Sequence, residues 1–349
     1  MRLRTVSPNQ PGWTRRRAGR GFVYVDGDGL RLGDFDIQRC RELVIPPAWR
    51  EVWICPYDNG HIQATGTDDA GRRQYLYHPE WRRKRDEAKH DRVLALARRL
   101  PRARSRVAGD LQLPGMPRDK ALATAFRLLD LGLFRVGGEA YAEENDSYGL
   151  ATLRRDHVRM HGGRVMFEFM AKSGQDQLVS VPDDAVRASV ETLRRRRDVS
   201  EELLAWRDRA GWHDISSGDI NAYLKGVIGS GASAKDFRTW HATVLAAVAL
   251  AVSTHAAETP AARKRAIARA MREVGDYLGN SPAVARASYV DPRVIDLFED
   301  GITIEPTVRR IGEGVDDGSP ATHGLVERSV LRLLRRAPLA KARARRRRS

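Results

Sequence analysis

Two cysteines in 349 residues, Cys40 and Cys55, are too few for a disulfide scaffold or a Cys-rich zinc site, and no CxxC occurs. Both sit in apolar company, in QRCREL and VWICPY, and read as buried free thiols of a reducing compartment. The nine histidines are scattered, with no HxH, no HExxH and no acidic triplet at ligand spacing, so no metal site is expected. DGDG at Asp26 to Gly29 opens like a calcium loop but lacks the downstream bidentate Glu, and reads as a turn. No GxxxxGK[ST] is present, which argues against a bound nucleotide. The most apolar run, ATVLAAVALAVSTHAA from Ala242, is short and broken by Thr and Ser. It reads as a buried core helix rather than a membrane span. The N-terminus lacks the apolar core of a signal peptide, so a soluble cytoplasmic protein is expected.

What is abundant is positive charge. Lys and Arg number 61 against 45 Asp and Glu, a formal balance of +16. Most of the excess is arginine, whose planar fork grips phosphate in pairs of hydrogen bonds. A polyanionic partner follows, most simply nucleic acid; the plain alternative is a merely basic soluble protein.

The texture along the chain changes once. Residues 1–20, basic and rich in Pro and Gly, read as a flexible arm. Residues 21–90 carry β signals: GFVYVDGDGLRL alternates into a turn, EVWICPYDNGHIQATGTD folds about Asp58-Asn59-Gly60, and RRQYLYH alternates again. In that last run Gln74, Leu76 and His78 share one face, and Tyr75 and Tyr77 the other. From Pro79 the pattern is helical, with a first helix expected to close before Pro101. Further helices are expected at Lys120–Leu131, Glu139–Asn145, Asp183–Arg197, Glu201–Arg209, Ser217–Gly226, Ala234–Ala256 and Pro260–Leu278. One β island interrupts them, GRVMFEFMAKSGQDQLVSVP, a hairpin with Ala171 to Gly174 at its tip. The result is α+β: a small β-rich N-terminal domain, a larger mainly helical domain over 91–335, and a basic disordered tail over 336–349.

Several polar residues fall at structural punctuation points. Arg135, in LGLFRVGGEAY, precedes a helical stretch, where backbone N–H groups favour anions. Lys172 sits at the hairpin tip. Arg238, in SAKDFRTWHA, lies in the first turns of an apolar helix, an odd place for an unpaired cation. Asn280 stands between a helix ending at Gly279 and one opening at Ser281-Pro282, and Tyr289 rides on the second. Each has an ordinary structural explanation by itself, and a tyrosine there is most simply packing with a wet hydroxyl.

In this order and these settings, however, Arg135, Lys172, Arg238, Asn280 and Tyr289 resemble the active site of type IB DNA topoisomerases, in particular the small bacterial and poxvirus-type enzymes. FRVGGEAYAEENDSYGLATL, FMAKSG, KDFRTW and YLGNSPAVARASYVDP carry the resemblance, with RRQYLYH in the N-terminal domain. It covers about residues 20–330. It implies the fold of the topoisomerase IB and tyrosine recombinase class. It also implies cleavage of one DNA strand by Tyr289 through a 3′-phosphotyrosyl intermediate, strand rotation and religation, without ATP, metal or other cofactor. Arg135 and Arg238 would clamp the phosphate, Lys172 would act as general acid, and Asn280 would add a hydrogen bond. Gln74, Tyr75, Tyr77, Tyr141 and Lys235 would contact DNA. The working form would be a monomer clamped on duplex DNA in a bacterial nucleoid. One departure stands out: poxvirus and eukaryotic members carry histidine where this chain has Asn280, which can donate a hydrogen bond but holds no charge. A tyrosine recombinase or integrase is the first rival, yet those enzymes have a histidine shortly before the second arginine, where this chain reads Lys235-Asp236-Phe237. A basic, non-catalytic DNA-binding protein is the second.

Overall fold

The computed structural model describes residues 1–131, 134–137, 147–171, 174–312 and 324–335. The chain divides into two compact units, Met1–Lys89 and His90–Ser349. The α+β class holds: the N-terminal unit is built on a sheet and the larger one is mainly helical.

The first unit is a five-stranded antiparallel sheet in the order β2-β1-β3-β4-β5, formed by β1 (Trp13–Ala18), β2 (Gly21–Val25), β3 (Arg50–Ile54), β4 (Ile62–Thr67) and β5 (Arg73–Tyr77). Helix α1 (Asp34–Glu42) lends Ile37 and Cys40 to a core with Tyr24, Val52, Ile54 and Ala64. Cys40 and Cys55 are free and buried, and burial pushes the Cys40 thiol up to about 11.

Residues 1–20 are not the expected mobile arm. β1 pairs with both β2 and β3, and Val6 is buried with Trp53, Cys55 and Ile62. Backbone bonds Arg4 N–H to Asn59 O and His61 N–H to Arg4 O, each 2.9 Å, fix the start of the chain. The run Arg15-Arg16-Arg17 concealed this strand. Arg15 is structural: its guanidinium donates to the carbonyls of Ile45, Pro46 and Trp49 at 2.9, 2.8 and 3.1 Å and lies over the Phe22 ring.

Helix α2 (Pro79–Leu111) does not stop at Pro101. Leu100, Ala103, Val107 and Leu111 keep the helical spacing and are buried, so core packing outweighs the roughly 3 kcal/mol that an internal proline costs. The second unit continues with α3 (Arg118–Asp130), and a three-stranded sheet β6 (Val158–His161), β7 (Arg164–Ala171) and β8 (Gln175–Val181). Helix α4 (Asp184–Arg194) follows, capped by the Asp183 carboxylate on Val186 N–H. Residues 201–209 are not helical. Ala205–Arg207 (β9) pairs with Trp212–Asp214 (β10), because the Asp208 carboxylate accepts the N–H groups of Ala210 and Gly211 and so closes a turn.

Then come α5 (Ser217–Val227), α6 (Ala234–Val252), α7 (Pro260–Leu278), α8 (Pro282–Ser288), α9 (Pro292–Glu299), α10 (Glu305–Gly312) and α11 (Leu325–Arg335). Helix α6 runs through the core, burying Phe237, Trp240, Val244, Ala247 and Leu250. Helix α11 is tied to it by Glu327, which accepts from Trp240 Nε1 at 2.7 Å and pairs with Arg104. The expected helix Glu139–Asn145 and the tail over 336–349 lie outside the described residues.

Candidate active site

The C-terminal end of α7 organises the site. A helix leaves its last carbonyls without intrahelical partners, and its dipole makes that end electronegative. Gly279 caps α7 in the left-handed region at φ 61°, ψ 47°, which turns the chain sharply into Asn280. The Leu278 carbonyl, buried and without an intrahelical partner, then collects three donors: Arg238 Nη2 at 2.6 Å, Asn280 Nδ2 at 3.1 Å and Arg135 Nη2 at 3.5 Å. Arg135 Nη2 also reaches Gly279 O and Asn280 Oδ1, both at 3.3 Å. Three of the five residues expected to do chemistry thus meet on one carbonyl, from parts of the chain up to 145 residues apart.

Arg238 is placed by the start of α6. The Asp236 carboxylate accepts from Ser233 N–H and Oγ at 2.9 and 2.8 Å and pairs with Arg92 at 2.9 Å, which locks the first turn. Lys235 and Arg238 are three residues apart and share a face. Lys235 is exposed; Arg238 is only 7% exposed. No carboxylate pairs with Arg238 among the described residues, and its Nε has no partner. Burial first, and the positive charge of Arg135 second, push its pKa below the usual arginine value. A buried cation repelled by another cation is an unfavourable arrangement until an anion arrives.

Tyr289 is the C-cap of α8, one residue past the helix, and is half-buried. The caps of α8 are those read from sequence: Ser281 accepts from Val284 N–H, and Pro282 takes the first turn. The guanidinium carbon of Arg238 lies 5.5 Å from the centre of the Tyr289 ring. The backbone about Tyr289 is pinned to α6 through Thr243. The Thr243 hydroxyl donates to Thr239 O at 2.8 Å within α6 and accepts from Asp291 N–H, two residues past Tyr289, at 3.1 Å. Asp291 is itself clamped by Arg293, which also holds Asp91.

Arg135 is braced from behind. Leu150 N–H donates to Arg135 O and Ala151 N–H to Val136 O, each at 2.7 Å. Gly137 and Gly149 pack backbone to backbone there, leaving no room for a Cβ on either. On its other side the same segment is bound to the end of β7 through Tyr148 N–H to Met170 O at 2.8 Å. A cavity of about 430 Å³ opens between these parts, lined by Arg135, Ser147, Tyr148, Lys235, Arg238 and Tyr289 among others; among the described residues its wall holds three cations and no carboxylate.

The structure therefore brings Arg135, Lys235, Arg238 and Tyr289 to one cavity, with Asn280 hydrogen-bonded to Arg135. Lys172 and Tyr141 lie outside the described residues. Gln74, Tyr75 and Tyr77 belong to the N-terminal unit. The two tyrosines are exposed and stacked, ring centres 6.0 Å apart, while Gln74 faces the other way and donates to Asp68 at 2.8 Å. Sequence reasoning missed Ser147, Thr243 and the bracing segment 147–151. The paired glycines of RVGGEAY were the available signal, for a close backbone approach rather than for phosphate.

Residues 78–303, which contain all five of the residues first singled out, match the catalytic core of eukaryotic DNA topoisomerase I. The chain belongs to the type IB DNA topoisomerase family, enzymes that relax supercoiled duplex DNA by transient cleavage of one strand, and duplex DNA is its substrate. Residues 21–68 narrow the assignment, matching the N-terminal domain of bacterial DNA topoisomerase IB. Among curated proteins the chain is 29% identical over 304 residues to DNA topoisomerase 1B of Acanthamoeba polyphaga mimivirus, covering 82% of this chain and 88% of that one. It is 21% identical over 237 residues to DNA topoisomerase 1B of vaccinia virus strain Copenhagen, covering 67% and 72%. DNA topoisomerase 1 of Schizosaccharomyces pombe is 30% identical over 127 residues, 36% of this chain and 15% of that one. These matches decide against the recombinase and the non-catalytic readings. Among the described residues no helix is long and apolar enough to cross a membrane.

Proposed function

We propose that Tyr289 is the nucleophile of this topoisomerase and that Arg135, Arg238, Asn280 and Lys172 complete its active site. The observation that carries this is the buried Arg238, paired with no carboxylate among the described residues and facing both Arg135 and the Tyr289 ring. A phosphodiester is an anion that these cations suit. The phenolic oxygen attacks phosphorus, its proton leaves, and the bond to the deoxyribose 5′-oxygen breaks with a proton delivered by Lys172. The products are a 3′-phosphotyrosyl link and a free 5′-hydroxyl. Negative charge growing on the non-bridging oxygens is met by the two guanidiniums, already oriented by the Leu278 carbonyl, and by the Asn280 amide. Rotation of the nicked duplex releases supercoils, and attack by the 5′-hydroxyl reverses the chemistry. Asn280 supplies a dipole rather than a charge, so the arginines carry most of the stabilisation.

Tyr141 and Lys235 hold the backbone near the cleavage point, and the exposed Tyr75–Tyr77 pair meets the duplex from the N-terminal unit. Gln74 joins them only by releasing Asp68. The enzyme works as a monomer clamped on DNA, without nucleotide, in a bacterial nucleoid. The basic excess makes its grip strongly salt-dependent. The test is relaxation of supercoiled plasmid in EDTA without ATP. The parent relaxes it and the Tyr289→Phe variant does not; relaxation by the variant overturns the assignment.

A further inference from the structure

Ser147 lines the active-site cavity, and the mechanism leaves its hydroxyl unused. It is 6% exposed, and its hydroxyl is buried with no hydrogen-bond partner among the described residues. Buried hydroxyls without partners are rare, because water's hydrogen bonds have been given up and nothing has replaced them. Where such a group persists, a ligand is the natural missing partner. The cavity it lines also presents Arg135, Lys235, Arg238 and Tyr289. An anion is what those neighbours select, and a hydroxyl donates to an anion's oxygen readily.

The backbone argues the same way. Ser147 sits at the head of the brace. Tyr148 N–H holds Met170 O at the end of β7, and Leu150 and Ala151 hold Arg135 and Val136. The Gly137–Gly149 contact closes the brace. The residue is therefore registered both to Arg135 and to the hairpin strands that flank Lys172 in sequence. To meet a ligand in the cavity the hydroxyl turns about χ1, the side chain's one heavy-atom torsion, out of its buried position.

We propose that Ser147 is a further substrate-binding residue, whose hydroxyl donates a hydrogen bond to a non-bridging oxygen of the phosphodiester attacked by Tyr289. This rests on the nucleophile assignment made above. The bond is made to an oxygen that gains charge as the reaction proceeds, so it strengthens toward the transition state.

The experiment compares parent, Ser147→Ala and Ser147→Thr in single-turnover cleavage of a duplex, quenched in detergent to count covalent adduct, with thermal unfolding run alongside. Ser147→Ala is expected to slow adduct formation by about 100-fold, the scale for loss of one donor to a developing oxyanion. Its DNA affinity stays near the parent's. Its unfolding temperature is unchanged or higher, because the hydroxyl removed had no partner. Ser147→Thr keeps the donor and recovers most of the rate. With a phosphorothioate at the scissile position, the alanine penalty falls on one of the two diastereomers. A Ser147→Ala variant that cleaves at the parental rate, or that loses rate only in step with lost stability, overturns this proposal alone. A parent that forms no adduct overturns the nucleophile assignment and this proposal with it.

Discussion

Replacing Arg238 with methionine separates what the fold needs from what the chemistry needs. In the structure this guanidinium donates to Leu278 O at 2.6 Å, leaves Nε without a partner among the described residues and is 7% exposed. A hydrogen bond from a charged donor contributes about 1.5–3 kcal/mol. The effective penalty for burying a charge without a carboxylate is several kcal/mol. Leu278 O is not orphaned by the change, since Asn280 Nδ2 stays at 3.1 Å. Arg238→Met, of similar length and apolar, should therefore leave stability unchanged or raise it by up to about 2 kcal/mol. For a unit of this size that is a rise of a few °C, at about 2–4 °C per kcal/mol. The reaction meanwhile loses a cation and two donors to the phosphate, so cleavage should fall by at least about 10³-fold. Thermal unfolding and single-turnover cleavage measured on the same preparation test both halves. A variant that unfolds several kcal/mol more easily, or that cleaves within 10-fold of the parent, refutes the reasoning.

Gly149→Ala places a Cβ against Gly137 Cα, so it should cost about 1–3 kcal/mol and, by shifting Arg135, slow adduct formation more than 10-fold. Thermal unfolding and cleavage rate together check it. Asn280→Asp sets a carboxylate where Oδ1 now accepts from Arg135 at 3.3 Å. It gains an ion pair with Arg135 but loses the Nδ2 donor to Leu278 O at the electronegative helix end, so stability should change by less than about 1 kcal/mol while cleavage falls about 100-fold, because the carboxylate both neutralises the cation and repels the phosphate. Tyr277 is buried, its phenol pushed up to about 12 by desolvation against an opposing effect of Arg238. Its folded-state value lies above the ordinary value of about 10, so this contribution is intact below pH ~10 and is lost as pH climbs toward about 12. Tyr277→Phe removes the bond to Leu131 O, 3.2 Å, and should be less stable at pH 8, with the deficit shrinking through that window. Unfolding midpoints at several pH values decide it.

The parts of the site visible in the sequence were those written locally. Gly279, Ser281 and Pro282 announce a helix stop and start within four residues, and the structure has both caps where expected. Arg238 stood out because a cation intruded on an apolar helical stripe. Residues joined by distant contacts were not visible. No local pattern says that Leu278 O will gather Arg135 and Arg238, or that Thr243 will hold the backbone N–H of Asp291 just past Tyr289. Where local signals misled, tertiary partners had overruled them. The arginine run of β1 reads as a mobile basic arm until Arg15 finds the carbonyls of Ile45, Pro46 and Trp49. Pro101 reads as a helix stop until the buried spacing of Leu100, Ala103 and Val107 carries α2 past it. Residues 201–209 have helical composition, yet Asp208 closes a turn that pairs β9 with β10.

The central claim is that one side chain bonds to DNA, and its most direct test is to find that bond. Parent enzyme is reacted with a short duplex, trapped in detergent, digested with nuclease and trypsin, and sequenced by mass spectrometry. The account predicts nucleotide mass on the tryptic peptide Ala287–Arg293, on the phenolic oxygen of Tyr289 and linked to a DNA 3′ end. Nucleotide on another residue, or attached through a 5′ end, contradicts it.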